Sequence, residues 1–429
     1  MRKWVISSET CVVSFFILYI ISTFISMAAM SVGSVFLLVG ALVFFQGPKG
    51  LYKAFASSLE NLLVKKYFLI TLALAAVCVM SLVYAQINPL TYNGESLQIH
   101  WPKDILKLWY LFLPILSFLL LKNLPEEKQK KVIRFWFYTF LVLSILSIYQ
   151  YYTGWPRPRM VPRPTPLFFR YQATLFLGHH LSVASIWIFP FFVSLDFLFK
   201  PSYCAWIRLP RFFFLLTTVF GFATLMLTYS RTLWAVLPVG ILIWVFMRLP
   251  KKWALIFSTF FFVGTFFIFQ SPIVQNRIKS LYGISQRVEI WKMNLEFFES
   301  RPWLGIGWLK SGPASSLYVR EKYENVAGHF VGHAHNNFLE MLSGTGILGT
   351  VSWMVWFVFV FYLSIRWFKK RRKKPPFVLG IFAAWIVFHL NGLTQVNFWE
   401  SKVIHQVMWV VTLLLWVNTK ISYEKKDFS

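Results

Sequence analysis

The chain has 429 residues, of which 57% are hydrophobic and 14% charged, and its mean hydropathy is +0.58. That balance excludes an ordinary soluble domain. The formal net charge of +27 arises from 43 Lys and Arg against 16 Asp and Glu. The three cysteines, Cys11, Cys78 and Cys204, fall in or beside apolar runs and point to neither a disulfide framework nor a cysteine-bound metal.

A helix needs about 20 mostly apolar residues to cross the hydrocarbon of a bilayer. Runs of this kind begin at 11–29, 31–46, 67–86, 105–121 and 132–151. They continue at 179–198, 211–228, 232–248, 252–270, 344–365, 377–393 and 402–418. The first follows Arg2 and Lys3 in the manner of a signal peptide, but a second apolar run comes almost at once, so it is read as a retained helix. Backbone groups in lipid must be satisfied within their own segment, which makes long runs helices and not barrel strands. The expectation is an all-α polytopic membrane protein of about 12 transmembrane helices, a single transmembrane domain over residues 1–429.

Charge orients the bundle. Taken by alternate loops, 27 of the 43 basic residues fall on the side that holds both termini, including the run Lys369 to Lys374. The positive-inside rule makes that side, and both termini, cytoplasmic. The net charge then finds its partner in anionic membrane lipids, and nucleic acid is not expected. The longest loop, 271–343, falls on the outer face. The spacing of Val288, Trp291, Leu295 and Phe298 predicts an ordered lid with an amphipathic helix.

Outer-face arginines run against the orientation rule and call for a reason, which a polyanionic substrate supplies. Arg157, Arg159, Arg163 and Arg170 crowd one outer loop, Arg231 sits in a very short turn, and Arg277, Arg287, Arg301 and Arg320 occupy the long loop. A guanidinium grips phosphate oxygens through paired hydrogen bonds and stays charged at physiological pH. Prolines separate Arg157, Arg159 and Arg163, which suits an extended segment without a catalytic role. Near the end of the long loop stands His333-Ala334-His335-Asn336-Asn337-Phe338-Leu339-Glu340. Histidine exchanges protons near neutral pH, as a general acid or base must. His329, His333 and His335 lack the cysteine or HExxH context of a zinc site, and the outer acids, Glu289, Glu296, Glu321, Glu324 and Glu400, form no Asp-x-Asp pair. No metal is expected. The glycines of Arg301-Pro302-Trp303-Leu304-Gly305-Ile306-Gly307-Trp308 are turn formers without the βαβ setting of a nucleotide fingerprint.

Over roughly the C-terminal 260 residues the order of these motifs resembles the O-antigen ligase and polymerase superfamily. The resemblance rests on Gly178-His179-His180-Leu181, on Tyr229-Ser230-Arg231-Thr232, and on Arg287-Val288-Glu289-Ile290-Trp291 followed by Arg301 to Gly307. It is strongest in HAHNNFLEMLSGTGILG at 333–349 and ends with Gly392 to Ser401, where Gln395 and Glu400 stand for a usual acid and a usual Asp. The resemblance implies a GT-C-like glycosyltransferase of the bacterial inner membrane, with 271–343 as its periplasmic loop and its active site on the periplasmic face. It implies an undecaprenyl-pyrophosphate-linked glycan as donor and, for a ligase, lipid A core as acceptor, with inversion and with neither metal nor cofactor. By motif position His335 is the expected general base. Arg231 and Arg287, with Arg170 as a third, are expected to bind the pyrophosphate, and His333, Asn336 and His180 are candidate supporting residues. A Wzy-like polymerase, a protein O-oligosaccharyltransferase and a lipid-linked glycan transporter are the alternatives. Against a transporter, no internal repeat is visible.

Overall fold

In the computed structural model the described residues are 8–157, 171–270, 275, 282–323, 331–366 and 377–424. The protein is an all-α polytopic membrane protein, and among these residues the only strands are the pair Thr91–Tyr92 and Glu95–Ser96. In chain order the first helices are α1 (Ser8–Ser22), α2 (Met27–Phe44), α3 (Pro48–Ser58), α4 (Leu62–Ile87), α5 (Trp101–Ile105), α6 (Leu113–Asn123) and α7 (Glu126–Thr153). Then come α8 (His180–Leu198), α9 (Pro201–Ile207), α10 (Arg211–Leu227), α11 (Arg231–Arg248) and α12 (Lys251–Gln270). The remainder are α13 (Tyr282–Ser300), α14 (Ser311–Lys322), α15 (Asn337–Ile365), α16 (Val378–Asn391) and α17 (Ser401–Glu424). Every apolar run of the sequence lies mainly on helix. By length and composition seven helices among the described residues can cross a membrane, or eight if α9 and α10, bent by 103° at their break, make one span. The sequence had led to about twelve, and α1 and α16 are apolar but shorter.

Local chemistry sets the ends of these helices. α7 opens with Glu126 and Glu127, whose charge suits the positive end of a helix, and it closes on Gly154 at φ 73°. α8 is central, with every residue from Ser182 to Phe197 buried except Leu195. It packs against α10 on one side and α16 on the other. Lipid tails are as apolar as leucine, so such contacts depend on close fit more than on hydrophobic burial. Gly380 of α16 illustrates the fit, since a Cβ there would lie 2.6 Å from the Phe192 carbonyl oxygen.

The described part of the long loop has its own small core. Leu97, Ile290, Met293, Phe297, Ile306 and Leu317 bury one another, with Tyr92 and Tyr318 packed alongside. The amphipathic helix is present as α13, but its buried face differs from the expected one. Ile290, Met293, Asn294 and Phe297 face inward, while Val288 and Leu295 are each 42% exposed. Both stripes have helical spacing. The buried one was masked by Asn294, whose side-chain oxygen accepts a hydrogen bond from Ser343 Oγ at 2.7 Å.

α13 and the turn after it dock on a break in α15. Gly346 there has φ 62° and ψ −163°. The backbone of 302–307 fills the break: Ile306 N donates to Ser343 O at 3.0 Å, Gly307 N to Gly344 O at 2.9 Å, and Ile347 N to Pro302 O at 2.8 Å. A Cβ on Gly305 would stand 2.4 Å from the Gly344 carbonyl carbon, and one on Gly346 the same distance from that of Trp303. The glycines of the two motifs thus fit one another, chain against chain.

Candidate functional site

The site is built where the first turn of α15 meets the turn between α16 and α17. Asn336 caps α15, its Oδ1 accepting from Phe338 N at 2.8 Å and Leu339 N at 3.1 Å. The neighbouring Asn337 ties the turn to the second segment. Its backbone N donates to Gly392 O at 2.8 Å and its Nδ2 to Asn397 Oδ1 at 2.6 Å, while its Oδ1 accepts from Phe398 N at 3.2 Å. Gly392 is required at this crossing, since a Cβ would fall 2.3 Å from Asn337 Nδ2.

His335 sits just before this cap with φ 48°, a left-handed conformation that costs a side-chain-bearing residue about 1–2 kcal/mol. The buried carboxylate of Glu340 offsets that cost. Its Oε2 accepts from Ala334 N at 2.9 Å and from Ser311 Oγ of α14 at 2.5 Å, so one oxygen pins the histidine turn to the loop. The His333 and His335 rings lie 4.3 Å apart, centroid to centroid, and His335 N donates to His333 Nδ1 at 3.3 Å. Burial pushes the His335 imidazole from its ordinary range down to about 3, and the neighbouring His333, Arg287 and His179 push the same way. The ring is therefore neutral at physiological pH and able to accept a proton.

Arg287, whose charge acts on that ring, lines a polar cavity of about 130 Å³ with His180, Tyr229, Arg231, Thr394 and Gln395, among others. Arg231 is the first residue of α11, which Ser230 caps by accepting from Leu233 N at 3.4 Å. Arg287 comes from α13, so two distant segments bring their guanidiniums to one cavity. Burial weakens the hold of Arg287 on its proton, and the positive charge of Arg231 adds to the effect. Two cations sharing a half-buried cavity repel each other unless an anion lies between them. His180 Nδ1–H donates to Thr228 O at 2.7 Å, which turns its other ring nitrogen to other partners. Gln395 is 3% exposed and its Nε2 has no hydrogen-bond partner among the described residues. Nearby, Ser182 donates to Glu400; burial raises the carboxyl of Glu400, with Ser182 and the Lys402 charge opposing.

Of the expected site residues, the structure thus brings together His335, His333, Arg231, Arg287 and His180, with Asn336 as a helix cap. Arg170 lies outside the described residues, as do Arg159, Arg163, Arg277 and His329. Arg157 is exposed. Arg301 instead serves the fold, donating to Asn88 O with its guanidinium carbon 5.9 Å from the centre of the Tyr84 ring. Among the described residues no group of three or more His, Cys, Asp or Glu side chains is arranged to hold a metal ion. Sequence reading had not singled out Glu340, Asn337, Thr394 or Asn397, although each stands within a quoted motif. Residues 216–354, from α10 into α15, match the family model described as O-antigen ligase. No curated protein matches the chain.

Proposed function

We propose, from the match of residues 216–354 to the family model described as O-antigen ligase, that the chain is an O-antigen ligase of the bacterial inner membrane. In this reading it moves a glycan from undecaprenyl pyrophosphate to a sugar hydroxyl of lipid A core, with inversion and without metal. Both termini are cytoplasmic and the site faces the periplasm, a topology supported by the 27 basic residues on the terminal side.

One observation carries the reading: Arg287, which shares its cavity with Arg231, lies near enough to His335 for its charge to act on the imidazole. The donor's pyrophosphate lies between the two guanidiniums. The acceptor hydroxyl attacks the anomeric carbon from the face opposite the pyrophosphate and gives its proton to His335. The carbon–oxygen bond to phosphate breaks, its electron pair leaves with undecaprenyl pyrophosphate, and the arginines stabilise the charge that develops there. No nucleotide is consumed, because the activated donor bond supplies the driving force.

Electrostatics couples binding to basicity. The Arg287 charge adds to burial in keeping His335 unprotonated. A bound pyrophosphate offsets the arginine charges and makes the same imidazole a better base when its substrate is in place.

The acceptor is settled by reconstitution. Purified protein in proteoliposomes receives a defined undecaprenyl-pyrophosphate glycan together with lipid A core, a second donor molecule or an acceptor polypeptide. Transfer to lipid A core alone supports the ligase. Transfer to the second donor molecule makes it a polymerase, and transfer to the polypeptide a protein glycosyltransferase.

A further inference from the structure

Running from Phe338 in the first turn of α15 to Tyr362 near its other end, that helix and Ile70 of α4 line an apolar groove of about 720 Å³. On its floor Val351, Met354, Val355 and Val358 recur at helical spacing, and Ile70 of α4 forms a wall. The helices are held together below it, where Trp356 Nε1 donates to Thr71 Oγ1 at 3.1 Å. From Thr350 to Tyr362 the helix rises about 18 Å, close to the half-thickness of about 15 Å of a bilayer's hydrocarbon core. The groove's lower stretch is therefore one leaflet deep.

At the end remote from His335 the chemistry of the lining changes. Phe359 and Tyr362 belong both to the groove and to a second cavity of about 410 Å³, whose other lining residues include Asn61, Lys66 and Arg366. Among the described residues no carboxylate lines this second cavity. The Arg366 guanidinium carbon lies 5.8 Å from the centre of the Tyr362 ring, so the ring orients one cation toward the junction. An acyl-length apolar slot that opens into a two-cation cavity has the complement of one molecule: a glycerophospholipid with an anionic headgroup.

We propose that the groove between α4 and α15 binds an anionic glycerophospholipid of the leaflet remote from His335, its phosphate held by Lys66 and Arg366 and an acyl chain lying along Val351 to Val358. A zwitterionic lipid fits the slot equally well but brings an ammonium toward two cations, so the headgroup end selects for net negative charge. The site is separate from the cavity of Arg231 and Arg287, and its occupant braces the two helices between which Ser81 Oγ donates to Gly344 O at 2.8 Å, beside the break in α15.

The test is lipid competition on the full-length protein in nanodiscs of mixed phosphatidylglycerol and phosphatidylcholine, read by native mass spectrometry of retained lipid. Wild-type protein retains phosphatidylglycerol. A basic residue near a membrane surface is worth about 1 kcal/mol toward anionic lipid, or about fivefold. Lys66→Gln with Arg366→Gln should then lower the preference about thirtyfold. Lys53→Gln with Lys65→Gln removes the same charge outside the cavity and should leave the preference unchanged. Should the Lys66 and Arg366 double variant not fold, the wild-type protein still decides. Phosphatidylglycerol with a diazirine on its acyl chain should label the peptide containing Met354 to Val358, and a tenfold excess of inorganic phosphate should not suppress the labelling. Absence of anionic preference, an equal loss in the Lys53 and Lys65 variant, labelling spread evenly over all lipid-facing helices, or displacement by phosphate would each overturn the proposal.

Discussion

Glu340 offers the sharpest test of how the site is held together, because it touches neither donor nor acceptor in the proposed reaction. Its Oε2 alone receives both the Ala334 N–H at 2.9 Å and the Ser311 hydroxyl at 2.5 Å. A hydrogen bond to a charged group contributes about 1.5–3 kcal/mol, so Glu340→Ala removes about 3–6 kcal/mol of support from the histidine turn. Relaxing His335 from its left-handed conformation returns about 1–2 kcal/mol. Without that support the held turn is disfavoured by this strain of about 1–2 kcal/mol, and kcat should fall about 5- to 30-fold. Glu340→Gln keeps an oxygen that can accept both hydrogen bonds and loses only the charge; about 1–3 kcal/mol of support then balances the strain, so its loss should be about twofold. The assay is steady-state glycan transfer at equal membrane abundance, with the KM for donor measured alongside. That KM should stay unchanged in both variants, since Arg231 and Arg287 are intact. Full activity in Glu340→Ala would refute the reasoning. Equal inactivity of Gln and Ala would also refute it, by giving the carboxylate a chemical role in place of a positioning one.

Two further outcomes follow from the same geometry. Lysine keeps the charge of arginine but loses the paired hydrogen bonds, so Arg231→Lys and Arg287→Lys should each raise the KM for donor at least tenfold, whereas Arg157→Ala should leave transfer unchanged. For pH dependence, His335 works as a base only when neutral and loses activity as pH falls through its pKa. With that value near 3 in the free enzyme and raised by bound pyrophosphate, the acid limb of kcat should lie at higher pH than that of kcat/KM, as a pH series of initial rates would show.

Much of the fold was legible because lipid imposes one solution on the backbone, and each apolar run of the chain lies mainly on helix. Where runs begin and end was less so. The bend between α9 and α10 and the short α1 depend on packing that hydropathy does not register. The face of α13 was misread because Asn294, polar in sequence, is the residue that Ser343 requires inside. In the site, histidine and arginine announce themselves by chemistry and by standing on the side where positive charge is rare. Glu340 and Asn337 do not, because their roles rest on contacts across the fold: Glu340 reaches Ser311, and Asn337 reaches Asn397, 60 residues away. Arg301 shows the converse. It shares the chemistry and the side of Arg287, yet it is taken up by Asn88 and Tyr84.

The central claim, that this site transfers a glycan by base catalysis from a polyprenyl pyrophosphate, is tested most directly by the rate of undecaprenyl pyrophosphate release from a defined donor. Purified wild-type protein and His335→Ala are compared in proteoliposomes with lipid A core and excess chelator. General-base assistance typically contributes about 10²–10⁴ in rate. The account predicts acceptor-dependent release by wild-type protein, a loss of that size in His335→Ala with donor binding retained, and a milder loss in His333→Ala. Near-normal release by His335→Ala, or release by wild-type protein that stops in chelator and returns with one divalent ion, would contradict it.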